Sequence, residues 1–127
     1  MKRLNKLFWL KKEIEQIEMQ IKELTILSAM AMSGMPSGNS VSSPVEKFYD
    51  RLDKLRTKLQ AKLEEYITEK EYLEDYIENI EDAEIRVIAR KRFIDNKDFQ
   101  TIGNEMYMDR TTAYRKLKNY FEKEGTK

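Results

Sequence analysis

Arg110, Thr111, Thr112, Tyr114, Arg115, Lys116 and Lys118 crowd four cations and three hydroxyls into nine residues, with no acid among them. A guanidinium bonds bidentately to the two major-groove acceptors of guanine, and hydroxyl and ammonium groups bond or neutralise phosphate oxygens. Upstream, Arg90, Lys91 and Arg92 form a second basic cluster that could hold a nucleic-acid backbone. Such charges can also do no more than solvate a helix, so their meaning depends on what positions them. Other chemistries are narrowed at once. The 127 residues hold no Cys and no His, which removes thiol chemistry, disulfides, imidazole acid-base catalysis and the common zinc sites. The carboxylates fall at solvated coiled-coil positions without a paired constellation, and no glycine-rich cofactor motif is present. A non-enzymatic protein with no metal and no cofactor is expected.

Charge divides unevenly along the chain. The whole carries 24 basic and 23 acidic residues, net +1, which argues neither for nor against a polyanionic partner. Residues 45 to 81 hold 7 basic and 11 acidic residues (net −4), whereas residues 82 to 127 hold 11 and 8 (net +3). The basic share therefore belongs to the C-terminal segment.

Within that segment, FQTIGNEMYMDRTTAYRKLKNYF (residues 99 to 121) reads as a short helix, a turn and a second helix. Asp98 or Thr101 can open the first helix, with Ile102 and Met106 inward. Gly103 costs about 1 kcal/mol against Ala inside a helix, and close approach of a second helix would explain it. Asp109 can cap the second helix, with Ala113, Leu117 and Tyr120 or Phe121 inward and Arg110, Thr111, Tyr114, Arg115 and Lys118 outward. That outward face suits a major groove. A preceding helix in EDAEIRVIARKRFI would bring Ile85, Ile88, Ala89 and Phe93 across the pair and close a three-helix core.

The front of the chain carries a different pattern. Leu7, Leu10, Ile14, Ile17, Ile21 and Leu24 alternate steps of three and four, the seam of a helix that packs on another helix. A helix over residues 3 to 32 would be about 45 Å long. The heptad resumes at Val45, Phe48, Leu52, Leu55 and Leu59, passes a stutter to Leu63, and continues through Tyr66, Leu73, Ile77 and Ile80. Ser43 before Pro44 marks its start. Between the two lies a Gly/Pro/Ser loop over residues 33 to 44. Its Gly34 and Gly38 have neither the spacing nor the lysine of a phosphate-binding loop. The uncharged residues 24 to 45 end in Gly, Pro, Ser and Asn, which argues against a membrane span. No export signal is visible, and a cytoplasmic protein is expected. Tyr49, Tyr66, Tyr72 and Tyr76 add aromatic surface along the second long helix, either to cover the hairpin's own seam or to meet a second copy or another partner.

Two regions are therefore expected in an all-α chain: a long antiparallel, coiled-coil-like helical hairpin over residues 1–80, and a trihelical helix-turn-helix over 81–127. From Ala83 to Phe121 the sequence resembles region 4 of sigma factors and the C-terminal end of the RinA-like and ArpU-like late transcription regulators of phages infecting Gram-positive bacteria. The residues that carry the resemblance are Gly103 flanked by Ile102 and Met106, and TTAYRKL in the second helix. Members of this phage group also have two charged helices separated by a loop similar to SGMPSGNSVS. Tyr107 stands at the turn position where glycine is usual and φ is often positive, and Ala113 replaces the common branched aliphatic residue.

The resemblance implies a sequence-specific DNA-binding transcription regulator of phage or prophage type that activates late genes. In this reading Arg110 and Arg115 contact base edges, and Thr111, Thr112 and Tyr114 contact bases or phosphates. Lys116, Lys118, Arg90, Lys91 and Arg92 hold the backbone of double-stranded DNA. The hairpin would dimerise the protein or touch RNA polymerase. Two alternatives stand beside it. One is a coiled-coil interaction module with a vestigial helix-turn-helix, possible as an interfering partner of another phage regulator. The other is a DNA-recognition protein similar to phage small terminase subunits.

Overall fold

A computed structural model describes residues 3–33 and 42–125. Its regular structure is all-α. A 3₁₀ turn (Arg3–Asn5) leads into α1 (Lys6–Ser33), followed by α2 (Ser42–Glu78), α3 (Ala83–Ala89), α4 (Phe99–Glu105) and α5 (Arg110–Gly125). A π-helical turn over Arg90–Ile94 extends α3. Residues 34–41, which include most of the expected loop and both Gly34 and Gly38, lie outside the described residues. The chain divides into two compact units, one formed by the residues up to Trp9 together with those from Tyr66 onward, the other by Leu10–Glu65.

Position 80/81, the division expected from the sequence, lies inside the first unit. The reason is packing. Ile77 and Ile80, each 2% exposed, share one core with Leu4, Leu7, Ile88 and Ile102. Burying these side chains removes apolar surface from water at about 25 cal/mol per Å², which the short helices α3, α4 and α5 could not achieve alone. Phe121 joins them at the edge, stacked on Tyr76 with ring centres 6.3 Å apart and edge-on to Phe93 at 5.9 Å. Tyr66 and Tyr76 pack against this core, whereas Tyr72 remains exposed. Burial raises the Tyr76 hydroxyl above its ordinary pKa, with Glu124 and Tyr72 adding to the effect. Glu69 is a buried carboxylate on α2 and is neutralised where it sits, by Arg3 Nε at 3.2 Å and Lys6 Nζ at 3.8 Å.

In the second unit α1 and α2 run antiparallel. Lys62 reaches Glu13 at 3.2 Å, while Gln20 and Leu24, later on α1, share a groove with Arg51, Lys54 and Leu55, earlier on α2. The expected seam is buried at Leu10, Ile14, Ile17 and Leu52 and half-buried at Ile21, Leu24, Leu55 and Leu59. Leu63 departs from it and is 41% exposed. It closes the two consecutive four-residue steps, which rotate the stripe off the partner helix. Met19, Ile26, Leu27, Met30 and Tyr49 also face solvent in this unit.

Candidate functional site

The basic face of the first unit rests on α4, the turn after it and α5. Asp98 starts α4 by accepting from the backbone N–H of Thr101 at 2.8 Å. That bond holds the Asp98 carboxyl below its ordinary pKa. Ile102 and Gly103 are buried at the centre of α4. A Cβ on Gly103 would stand 2.5 Å from the Met108 carbonyl oxygen and 3.1 Å from the Arg110 nitrogen, so the turn backbone passes directly against this residue. Met108 N–H donates to the Gly103 carbonyl at 2.9 Å and ties the turn down. The chain reverses at Tyr107, whose φ is 57°, the sign expected for this position. Asp109 then precedes α5 and its carbonyl accepts from Ala113 N–H at 3.0 Å.

On α5, Ala113 and Leu117 are 0% and 1% exposed and face the core. The helical period of 3.6 therefore turns Thr111, Arg115 and Lys118 outward and sets Tyr114 at the edge, while Arg110, three and seven residues before Ala113 and Leu117, begins the helix on their side; all five are exposed. Tyr114 is braced edge-on by Phe99, with ring centres 5.3 Å apart, and Lys118 Nζ stands 5.9 Å from the Tyr114 ring centre. Lys118 also lies 3.9 Å from Glu122 one turn on. Among the described residues, Arg110 and Arg115 have no ion-pair partner. Thr112 and Lys116 sit at the flank, half-buried, and Lys116 pairs with Glu84 of α3.

The second cluster is engaged within the fold. Arg90 pairs with Glu74 at 3.4 Å and Lys91 with Glu105 at 2.9 Å. Arg92 donates to the Lys97 carbonyl at 3.2 Å and lies over the Phe99 ring, 4.7 Å from its centre. Glu105 takes a second cation, Lys97, at 2.7 Å. These hydrogen bonds, Lys97 first and then Lys91, hold the Glu105 carboxyl below its ordinary pKa, and the same contact raises the Lys97 ammonium. The structure thus gathers Arg110, Thr111, Tyr114, Arg115 and Lys118 on one open face. It places Arg90, Lys91, Arg92 and Lys116 in contacts of their own.

Two features of this region were not anticipated from the sequence. The π turn is closed by Asp95 N–H on the Arg90 carbonyl at 3.0 Å, and it advances the chain by an extra residue before α4. Asn96 follows it with φ 58°, and neither polar atom of its buried amide has a hydrogen-bond partner. It borders a cavity of about 220 Å³ lined also by Asn5, Phe8, Trp9 and Arg92. An asparagine in a left-handed position is a residue-type signal that was available. Among the described residues no group of three or more His, Cys, Asp or Glu side chains could hold a metal ion, and no helix is long and apolar enough to cross a membrane.

No curated protein and no solved structure matches the chain significantly. Residues 26–124, most of the sequence and all of the face just described, match the family model described as Protein of unknown function (DUF1492), and the chain belongs to that family.

Proposed function

We propose that the chain is a sequence-specific DNA-binding transcription regulator of phage or prophage type, an activator of late genes. In this reading α3, α4 and α5 form a trihelical helix-turn-helix with α5 as the helix that enters the major groove. The observation that carries the proposal is the exposed face of α5. Arg110 and Arg115, without ion-pair partners among the described residues, share it with Thr111, Tyr114 and Lys118. Both guanidinium groups stand open to solvent beside a packed inner face, in the position from which each could pair bidentately with guanine in a major groove. The close passage at Gly103 supports the same reading, because a tight turn between two short helices fixes the angle at which α5 projects. Lys116 and Lys118 flank the contact and the Arg90, Lys91 and Arg92 cluster contributes positive potential behind it. The resemblance to late regulators supplies the direction of regulation, and α1 with α2 supplies the surface for a homodimer or for RNA polymerase.

The test is binding of the full chain to fragments upstream of phage late genes, at low and moderate salt. Selective binding to one fragment is expected. Arg110→Ala and Arg115→Ala, which remove base-edge contacts, should each abolish that selectivity. Weak binding that salt erases equally for all three proteins refutes the reading. A second reading is favoured by one observation. Met19, Ile26, Leu27 and Met30 expose apolar surface on α1, as an interaction module for a partner helix would, and salt-insensitive association in the absence of DNA selectivity would support it.

A further inference from the structure

The turn between α4 and α5 holds a residue that the fold does not use. Tyr107 adopts φ 57°, a region where the Cβ of an L-residue crowds the backbone and where a bulky side chain is an outlier. Its side chain is 97% exposed, and among the described residues it makes no hydrogen bond, ion pair or ring contact. Asn96, the other residue with positive φ, is of a type that tolerates this backbone, and its amide is buried. Tyr107 has neither property. The folded chain carries the cost of a left-handed tyrosine and gains no packing from it, so its use lies outside the chain.

Where that use lies follows from the turn. The Met108 carbonyl abuts Gly103 and the Met108 N–H is bonded to the Gly103 carbonyl, so the backbone that carries Tyr107 is fixed. The ring starts three residues before Arg110, at the leading edge of the open face of α5. The nearest acid on the α4 side, Glu105, has its charge satisfied by Lys91 and Lys97. On the α5 side a single carboxylate, Asp109, stands exposed one residue before Arg110. A polyanion can approach the turn without meeting an uncompensated carboxylate cluster. A phenol suits the sugar-phosphate backbone, where its O–H donates to a phosphate oxygen and its ring packs against the sugar. We propose that Tyr107 is a backbone anchor that docks on a phosphate of duplex DNA beside the groove occupied by α5. The inference rests on the DNA-binding reading above and extends it to a residue without charge.

The experiment compares the full chain with Tyr107→Gly, Tyr107→Phe and Arg115→Ala on a fluorescent duplex enriched by the wild-type protein from a random-sequence pool, with thermal melting of each protein alongside. Tyr107→Gly should melt above wild type, because glycine accepts the left-handed backbone, yet bind the duplex roughly tenfold more weakly. Tyr107→Phe should lose roughly threefold, the share of the hydroxyl. Neither changes charge, so both should keep the wild-type salt slope. Wild-type affinity in both Tyr107 variants, with loss in Arg115→Ala, overturns the anchor and leaves DNA binding standing. If no duplex is enriched and Arg115→Ala changes nothing, the DNA-binding reading itself fails and the anchor falls with it.

Discussion

Adding one methyl group at Gly103 sets two effects against each other, and the structure decides which wins. Alanine is better than glycine inside a helix by about 1 kcal/mol, so α4 considered alone predicts that Gly103→Ala stabilises the protein. The new Cβ, however, would lie 2.5 Å from the Met108 carbonyl oxygen, 3.1 Å from the Arg110 nitrogen and 3.2 Å from the Asp109 carbonyl carbon. All three are backbone atoms, so no rotamer change relieves them. The turn must move away from α4, which strains the core by about 1–3 kcal/mol. It also stretches the 2.9 Å bond from Met108 N–H to the Gly103 carbonyl, worth about 1 kcal/mol. The opposing terms leave a net loss of about 1–3 kcal/mol, which lowers the melting temperature by roughly 4–12 °C for a chain of this size. Circular dichroism melting of Gly103→Ala against wild type reads the effect, with Asn104→Ala, at an exposed neighbour on the same helix, as the control. A rise in melting temperature for Gly103→Ala would show that propensity dominates and that the turn does not pass against α4.

Tyr107→Gly should shift stability the opposite way, by up to about 1 kcal/mol, because it relieves a left-handed backbone and gives up a side chain that is 97% exposed; denaturant unfolding would show no gain if the φ of 57° were unstrained. Leu117→Ala removes a side chain 1% exposed in the shared core and should cost about 2–5 kcal/mol, read by the same denaturant titration; a cost within experimental error would contradict the packing described for α5. The carboxyls of Asp98 and Glu105 are both held below their ordinary values of 3.8 and 4.5, so their stabilisation is complete above that range and is lost as pH falls through the lower folded-state values. The destabilisation of Asp98→Ala relative to wild type should therefore be largest near neutral pH and shrink in acid; a difference constant from pH 7 to pH 2 would rule out the cap as its source.

Much of the C-terminal face was legible because each of its residues is fixed by a strong local rule. Ala113 and Leu117 define the inner side of α5 by helical period alone, and that period turns Thr111, Arg115 and Lys118 outward, whereas Arg110 is exposed at the first position of the helix although the period places it on the inner side. Gly103 announced a close approach because a glycine inside a short helix needs a reason, and Asp98 announced a start because its side chain can satisfy a free N–H. The parts that were not legible depend on tertiary geometry. Leu63 fits the seam by spacing, yet its exposure follows from the phase of the stripe relative to a partner helix. The π turn at Arg90–Ile94 has no residue signature, since one added residue per turn is set by how Phe93 and Ile94 reach the core. Ion-pair partners were equally hidden. Lys91 and Lys97 converge on Glu105 from positions 14 and 8 residues away in sequence, and no pattern along the chain predicts that meeting.

Those pairings bear on why a chain with net charge +1 can present a basic face at all. In the first unit Glu74, Glu84 and Glu105 are committed to Arg90, Lys116 and the Lys91–Lys97 pair, so these three carboxylates are matched close to where they stand. Matched charges cancel within a few ångströms, and at physiological salt their residual field fades over about 8 Å. On α5, Arg110 and Arg115 have no such partner among the described residues. The near-neutral total therefore does not dilute the face. Under the proposed DNA-binding function, neutralising Glu84 or Glu105 should broaden binding by freeing Lys116 or Lys91. Selectivity of Glu105→Gln for its enriched duplex over random competitor measures this directly, and unchanged selectivity would mean that the internal pairings do not shape the face.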